Sequence, residues 1–155
     1  MRSTPAAIAG GFALGTFIAF TPIIGLQMVL AVILSTLFNC NRPAAILAIW
    51  ITNPVTIAPI FTINYWIGQK MWGGPMVSEV SGLFIDIGMT MAKLDIWEFK
   101  ELITSVLSLG PDLIIPLCLG SLVVSTISAI IVYFPMLQLL YFLAERKKRK
   151  KTDRK

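Results

Sequence analysis

The run LIIPLCLGSLVVSTISAIIVYFPMLQLLYFLA, residues 113–144, contains 32 residues and no charged side chain. About 20 apolar residues in a helix cross the hydrocarbon layer of a bilayer, so this run predicts a transmembrane helix. The composition of the whole 155-residue chain agrees, because 56% of its residues are apolar and only 14% are charged, whereas soluble domains carry about 25% charged residues. We therefore expect an all-α integral membrane protein that forms a helical bundle.

Two more charge-free windows precede this run, residues 3–41 and 43–69, with 39 and 27 residues. Each has a capping residue and a proline near its middle, at Thr21-Pro22 and at Asn53-Pro54. Thr and Asn are favoured N-caps, and proline suits the first helical position. The pairs predict broken or re-entrant helices at membrane depth, with one helix ending near Phe20 and the next helices beginning at the prolines. A proline kink in a continuous helix is the alternative at each site.

Charge outside the windows predicts the orientation of the chain. The tail 145–155 sums to +6 and residues 70–112 sum to −3, and Lys and Arg near the ends of spans mark the cytoplasmic side. Arg2 and Arg42 then place both ends of the first window in the cytoplasm, as a hairpin or as two thin spans. We expect a multi-pass protein of the bacterial inner membrane with both termini in the cytoplasm, a single membrane domain over residues 1–144, and a tail that contacts anionic lipids.

The extracytoplasmic segment 70–112 includes a predicted surface helix. Asp95 and Glu98 resemble a capping box, and apolar residues then recur at helical spacing from Trp97 to Leu107. The pattern fits an amphipathic helix that lies on the membrane. Because basic residues are few in this segment, it slightly favours the alternative, a helix packed on its own bundle.

Ionisable groups suited to chemistry are absent from the windows. The sequence has no histidine, and none of the three windows contains a carboxylate. Intramembrane proton relays and hydrolases normally need one of these groups, so we expect no enzymatic activity, no metal site and no cofactor. The basic excess is one short tail rather than a basic face on a fold, so no nucleic-acid partner is expected.

Neutral polar side chains are the remaining candidates for a site. Helix starts inside a membrane present N–H groups and a positive dipole end to anions. The predicted substrate-binding set is Thr21, Gln27, Asn41, Arg42, Asn53 and Thr56. Hydrogen bonding between helices is the alternative role for the neutral members, and a topology anchor is the alternative for the arginine.

Small residues form a ridge along the first predicted helix, at Ala7, Gly11, Gly15 and Ala19. Such a ridge lets helix backbones approach closely. It predicts a packing contact either within the chain or with a second copy in a homo-oligomer.

A family resemblance rests chiefly on the stretch ITNPVT at residues 51–56 with Pro59, preceded by Thr21-Pro22, Gly25 and Gln27. Further matching positions are Gly11-Phe12, Gly15-Thr16-Phe17, Asn41, Pro43, Tyr65 and Gly68. The pattern resembles the bacterial membrane family catalogued as domain of unknown function 2062. The resemblance implies an inner-membrane protein with no assigned catalytic residue. Relatives joined to glycosyltransferase-like domains imply a link to envelope polysaccharide or lipid-linked sugar metabolism.

The sequence supports two alternative functions. The buried helix starts and the neutral polar set predict transport or translocation of a small anion or a lipid-linked phosphate. The small-residue ridge and the surface helix support the alternative, a non-transporting membrane scaffold or assembly partner in envelope biogenesis.

Overall fold

The computed structural model describes residues 4–23, 25–93, 104 and 110–152. Within these residues the chain forms helices and no strand, which confirms the all-helical class. The helices are α1 Pro5–Phe20, α2 Gln27–Leu37, α3 Arg42–Ile49, α4 Ile57–Trp72, α5 Val77–Lys93 and α6 Pro111–Thr152. The predicted surface helix from Trp97 to Leu107 falls almost wholly outside the described residues.

The helices are interrupted at both of the predicted sites, but the following helices begin later than predicted. α1 ends at Phe20 and α2 begins at Gln27, while α4 begins at Ile57. The prediction of helix starts at Pro22 and Pro54 is therefore wrong, and so is the alternative of a continuous kinked helix at either site.

Turn chemistry explains both delays. After α1, the Ile23 amide donates to the Thr21 carbonyl at 2.8 Å, a three-residue turn, and Gly25 adopts a φ of 88°, which a helix does not use. Before α4, the Asn53 side chain accepts hydrogen bonds from amides of its own turn, which competes with a helix start at the proline. Both connections therefore include several residues beyond the capping pair.

One compact unit comprises Met1–Ala19, Gly25–Ile49 and Thr126–Lys155. Its buried apolar cluster consists of Ile18, Ala31, Ala45 and Ile49. α1 and α3 approach each other closely, because a Cβ atom on Gly11 would overlap the carbonyl oxygen of Asn41, and one on Gly15 would overlap that of Ala45. The middle of the predicted small-residue ridge thus lies against α3 of the same chain.

The other compact unit comprises Phe20–Ile24 and Trp50–Ser125. Its core is an apolar cluster that draws on three helices: Ile57, Phe61 and Tyr65 of α4, Val80, Phe84 and Ile87 of α5, and Leu113 and Leu117 of α6. The contributions from α5 recur at helical spacing and form one apolar stripe, as expected for an amphipathic helix. The rings of Phe61 and Phe84 meet edge to face, with centroids 6.0 Å apart, a favoured aromatic geometry.

α4 and α6 cross at a pair of glycines within this second unit. A Cβ atom on Gly68 would overlap the carbonyl oxygen of Pro116, and one on Gly120 would overlap the carbonyl oxygen of Asn64. Each helix thus has a glycine where the backbone of the other passes. This reciprocal arrangement allows the closest approach available to two helices.

One helix among the described residues is long and apolar enough to cross a membrane. It covers Pro111–Arg146, within which an 18-residue stretch has a mean hydropathy of 2.3. α1 and α2 are apolar but shorter, with 16 and 11 residues, which gives lengths of about 24 and 16 Å at about 1.5 Å per residue. From Thr126 to Arg146 no side chain of α6 is buried.

Candidate functional site

The six predicted substrate-binding residues divide between the two compact units. Gln27, Asn41 and Arg42 belong to the unit that contains most of α1, together with α2 and α3, whereas Thr21, Asn53 and Thr56 belong to the unit built on α4 and α5. No single unit therefore contains the whole set, and each group is described within its own unit.

Asn41 caps α3. Its side-chain Oδ1 accepts a hydrogen bond from the Ala44 amide at 3.0 Å, the usual geometry of an N-cap residue. Its backbone amide donates to the carbonyl oxygen of Ala7 at 2.8 Å, which joins the start of α3 to α1. Arg42 follows as the first residue of α3 and is exposed. These contacts give Asn41 a structural role in its own unit.

Asn53 and Thr56 close a turn on each other before α4. The Asn53 amide donates to the Thr56 hydroxyl at 2.9 Å, and that hydroxyl donates to the carbonyl oxygen of Ile51 at 2.7 Å. The Asn53 Oδ1 atom accepts from the amides of Val55 and Thr56 at 3.0 and 3.2 Å. Both side chains are thus engaged within the turn.

The start of α4 offers few amides to an anion. The Ile57 amide donates to the carbonyl oxygen of Asn53 at 3.0 Å, and Pro59 has no amide hydrogen. Of the first three helical positions only Ala58 remains as a donor. The expected anion site at this helix start therefore lacks most of the N–H groups on which it was based.

The most buried polar contact in the second unit involves Asn64, a residue outside the predicted set. Asn64 is fully buried on α4, with 0% of its surface exposed. Its Nδ2 atom donates to the carbonyl oxygen of Phe20 at 2.8 Å and to the hydroxyl of Ser121 at 2.9 Å. The side chain thereby connects the end of α1, the middle of α4 and the first part of α6. We call these three residues the Asn64 node.

The Asn64 node satisfies one helix end and leaves another atom unsatisfied. The carbonyl of Phe20 is one of the last four of α1, which lack partners inside their own helix. The Asn64 amide supplies a donor where the chain turns away. Its own Oδ1 atom is buried and accepts no hydrogen bond from the residues that the structure describes. Buried polar atoms without partners are uncommon in folded proteins, so this oxygen marks a place where a further group is expected.

A sequence signal for the node exists, although it is weak. Asn64 lies four residues before Gly68, and Ser121 follows Gly120, so each polar side chain neighbours the glycine at which the helices cross. The sequence does not reveal that these two positions face each other, because 57 residues separate them. Only the packing of α4 on α6 brings them together.

A cleft of about 520 Å³ lies beside α5, and its lining includes the carboxylates of Glu79 and Asp86. Both side chains are exposed to solvent. In the turn that precedes α5, Tyr65 and Gln69 both donate to the carbonyl oxygen of Pro75, at 3.0 and 2.5 Å. These two bonds fix the turn, and the cleft itself contains a solvated acidic pair.

Comparison with known proteins finds one match. A family model described as an uncharacterized protein conserved in bacteria (DUF2062) matches residues 1–149. No curated protein and no solved structure matches the chain. The family match confirms the resemblance and extends it over residues 76–109, where the motifs gave no correspondence.

Proposed function

The chain belongs to the DUF2062 family of bacterial proteins, and from that premise we propose that it is an integral protein of the inner membrane that moves a small anion or a lipid-linked phosphate across the bilayer. The proposal has two parts, the membrane location and the transport activity. Different features of the chain support each part.

The second half of α6 supports the membrane location. Between Thr126 and Ala144 every described side chain is at least partly exposed, and large apolar residues such as Ile131 and Phe134 are 63% and 58% exposed. A helix that is apolar on all sides needs an apolar surrounding. These residues extend over about 28 Å, close to the roughly 30 Å of bilayer hydrocarbon, and the charged residues Glu145 and Arg146 follow directly.

The break after Phe20 is the observation that carries the transport part. Irregular backbone at membrane depth is tolerated only where it is buried in protein or lines a cavity, and discontinuous helices are a recurrent feature of transporter binding sites. Here the end of α1 is held by the fully buried side chain of Asn64. In a membrane domain, an interrupted apolar helix is typical of a transport pathway rather than of a simple anchor. The buried amide that binds the interrupted helix end fits this interpretation.

The scaffold alternative receives less support from the packing. It relied on the small-residue ridge of α1 as a surface for a partner. Gly11 and Gly15 are covered by α3 of the same chain, so the centre of that ridge is occupied. An assembly partner would have to use another surface.

Reconstitution into liposomes tests the proposal. We expect protein-dependent uptake of labelled inorganic phosphate or protein-dependent inversion of a fluorescent polyprenyl phosphate, reduced by Asn64→Ala and unchanged by Ser78→Ala, which alters an exposed residue of α5. Carbonate washing of membranes tests the location separately. Protein that stays in washed membranes but moves neither probe would refute transport and leave the membrane location intact.

A further inference from the structure

The second half of α6 has a stripe of exposed side chains with heptad spacing. Its members recur at intervals of four, three, four and three residues, and they are Ile127, Ile131, Phe134, Gln138 and Tyr141. The four apolar members are between 52% and 63% exposed. All five belong to the compact unit that includes Thr126–Lys155. Alternating intervals of three and four residues are typical of the contact between two helices that supercoil around each other. We call these five residues the α6 stripe.

Gln138 lies in the middle of the exposed face of this helix. At 3.6 residues per turn, it is about half a turn around the helix from Ala129, Met136 and Leu140, whose side chains are partly covered by the chain itself. The α6 stripe therefore faces away from the packing of its own chain. Gln138 also precedes Ala144, the last residue before the charged tail, by six residues, so it lies about 9 Å inside the apolar part of the helix.

Two polar groups on this face need partners when the helix spans a membrane. Lipid chains form no hydrogen bonds, and an unpaired amide in apolar surroundings is costly. Glutamine side chains at such positions hydrogen-bond across membrane helices. Pro135 adds a second group, because it has no amide hydrogen to donate to the Ile131 carbonyl, and neighbouring helices commonly satisfy a carbonyl freed in this way. Both groups favour another protein helix over lipid as the neighbour of this face.

We propose that the α6 stripe is the interface of a homodimer, in which Gln138 forms reciprocal hydrogen bonds with Gln138 of a second copy. A carboxamide contains both donors and an acceptor, so it is complementary to itself. A two-fold axis places the same residue on both sides of an interface, and copies inserted in the same orientation have their glutamines at the same depth. One polar residue among apolar ones at such an interface fixes the alignment of the two helices, and the β-branched Ile131 one heptad earlier favours a pair.

The dimer rests on the membrane location in the proposed function and not on the transport activity. Carbonate washing of membranes separates the two proposals. A chain that carbonate removes would overturn both the location and the dimer. A chain that stays in washed membranes as a monomer would overturn the dimer and leave the location intact.

Energy transfer between full-length copies in liposomes measures the association. Donor and acceptor fluorescent proteins are fused after Lys155, and the ratio of lipid to protein is varied to obtain a dissociation constant. We expect Gln138→Leu to weaken the dimer about tenfold, which corresponds to about 1.4 kcal/mol and is within the range for polar pairs between membrane helices. Gln138→Asn keeps a carboxamide and should retain most of the affinity. Absence of transfer in the wild type, or equal affinity of the wild type and Gln138→Leu, would overturn the proposal.

Disulfide trapping locates the interface on the helix. Cys40→Ala and Cys118→Ala first remove the two free thiols, and Phe134→Cys or Leu139→Cys is then added. Leu139 is the matched control, because it is 51% exposed but lies about 100° around the helix from Gln138. With copper phenanthroline in air we expect at least fivefold more cross-linked dimer from Phe134→Cys than from Leu139→Cys. Equal yields from the two variants would refute the α6 stripe as the interface.

Discussion

The crossing of α4 and α6 predicts that a single methyl group at Gly68 is strongly destabilising. In Gly68→Ala the new Cβ atom would overlap the Pro116 carbonyl oxygen and lie 2.9 Å from the Gly120 nitrogen, whereas ordinary contacts of Cβ atoms begin at 3.4 Å. Both obstacles are backbone atoms of a helix, which have no rotamer to change. The two helices must therefore separate by more than about 1 Å, because packed interiors do not absorb such an overlap.

The magnitude follows from the contacts that this separation weakens. Phe61 and Tyr65 of α4 pack in one cluster with Leu113 and Leu117 of α6. A large buried apolar side chain contributes about 1.5–3 kcal/mol, and a gap of about 0.5–1 Å removes a quarter to a half of the dispersion energy. Over four side chains we expect the free energy of unfolding to fall by about 1.5–6 kcal/mol.

A second glycine provides a control of opposite sign. Gly82 lies inside α5, and a Cβ atom there would meet nothing within 4 Å. Alanine at an exposed interior helix position is more favourable than glycine by about 0.5–1 kcal/mol, so Gly82→Ala should stabilise the chain. Reversible unfolding in mixed micelles, followed by circular dichroism, measures both variants. A Gly68→Ala protein as stable as wild type, or stabilised as much as Gly82→Ala, would refute the close crossing.

The remaining predictions concern the caps and the topology. Asn41→Ala removes the cap of α3 and should lower the free energy of unfolding by about 1 kcal/mol, measured in the same way, whereas Asn41→Asp should retain most of it; equal losses would contradict the capping role. Asn53→Ala should destabilise the turn before α4 and leave any anion flux in liposomes intact, since its side chain is engaged within the turn; a stable protein without flux would return this residue to the binding set. Reporter fusions should be active on the outer side of the membrane after Gly74 and on the cytoplasmic side after Lys155, and a cytoplasmic signal after Gly74 would contradict the orientation.

Local sequence patterns predicted where helices stop better than where they start. The end of α1 at Phe20 follows from a threonine and a proline in succession. The starts were misplaced because the same pattern fits both an N-cap and a hydrogen-bonded turn, and at Asn53 the turn uses the side chain first. The hydrogen bonds of the turn decide between these outcomes, and both outcomes use the same residue types in the same order.

The pairing of Asn64 with Ser121 could not be predicted from the sequence. Asn64 and Ser121 are ordinary polar residues in apolar surroundings, and each has several plausible partners. The crossing glycines of α4 and α6 determine which pair forms, because only a close backbone approach brings a short serine within 2.9 Å of the amide. The prediction that neutral polar groups matter here stays a prediction, while their pairing is a finding of the structure.

The observed helix starts, which differ from the predicted ones, also change where an anion would bind in the proposed transport. At α4 the first turn offers only the Ala58 amide, because the Ile57 amide already donates to the carbonyl oxygen of Asn53 and Pro59 has no amide hydrogen. At α2 no side chain caps the helix, and its first turn contains Gln27, Met28 and Val29, each with an amide that has no partner within the helix. A start at Pro22 would have lacked one of these donors, whereas the observed start has all three, together with the buried Gln27 side chain. For the proposed transport, the start of α2 thus offers an anion more backbone donors than the start of α4 does.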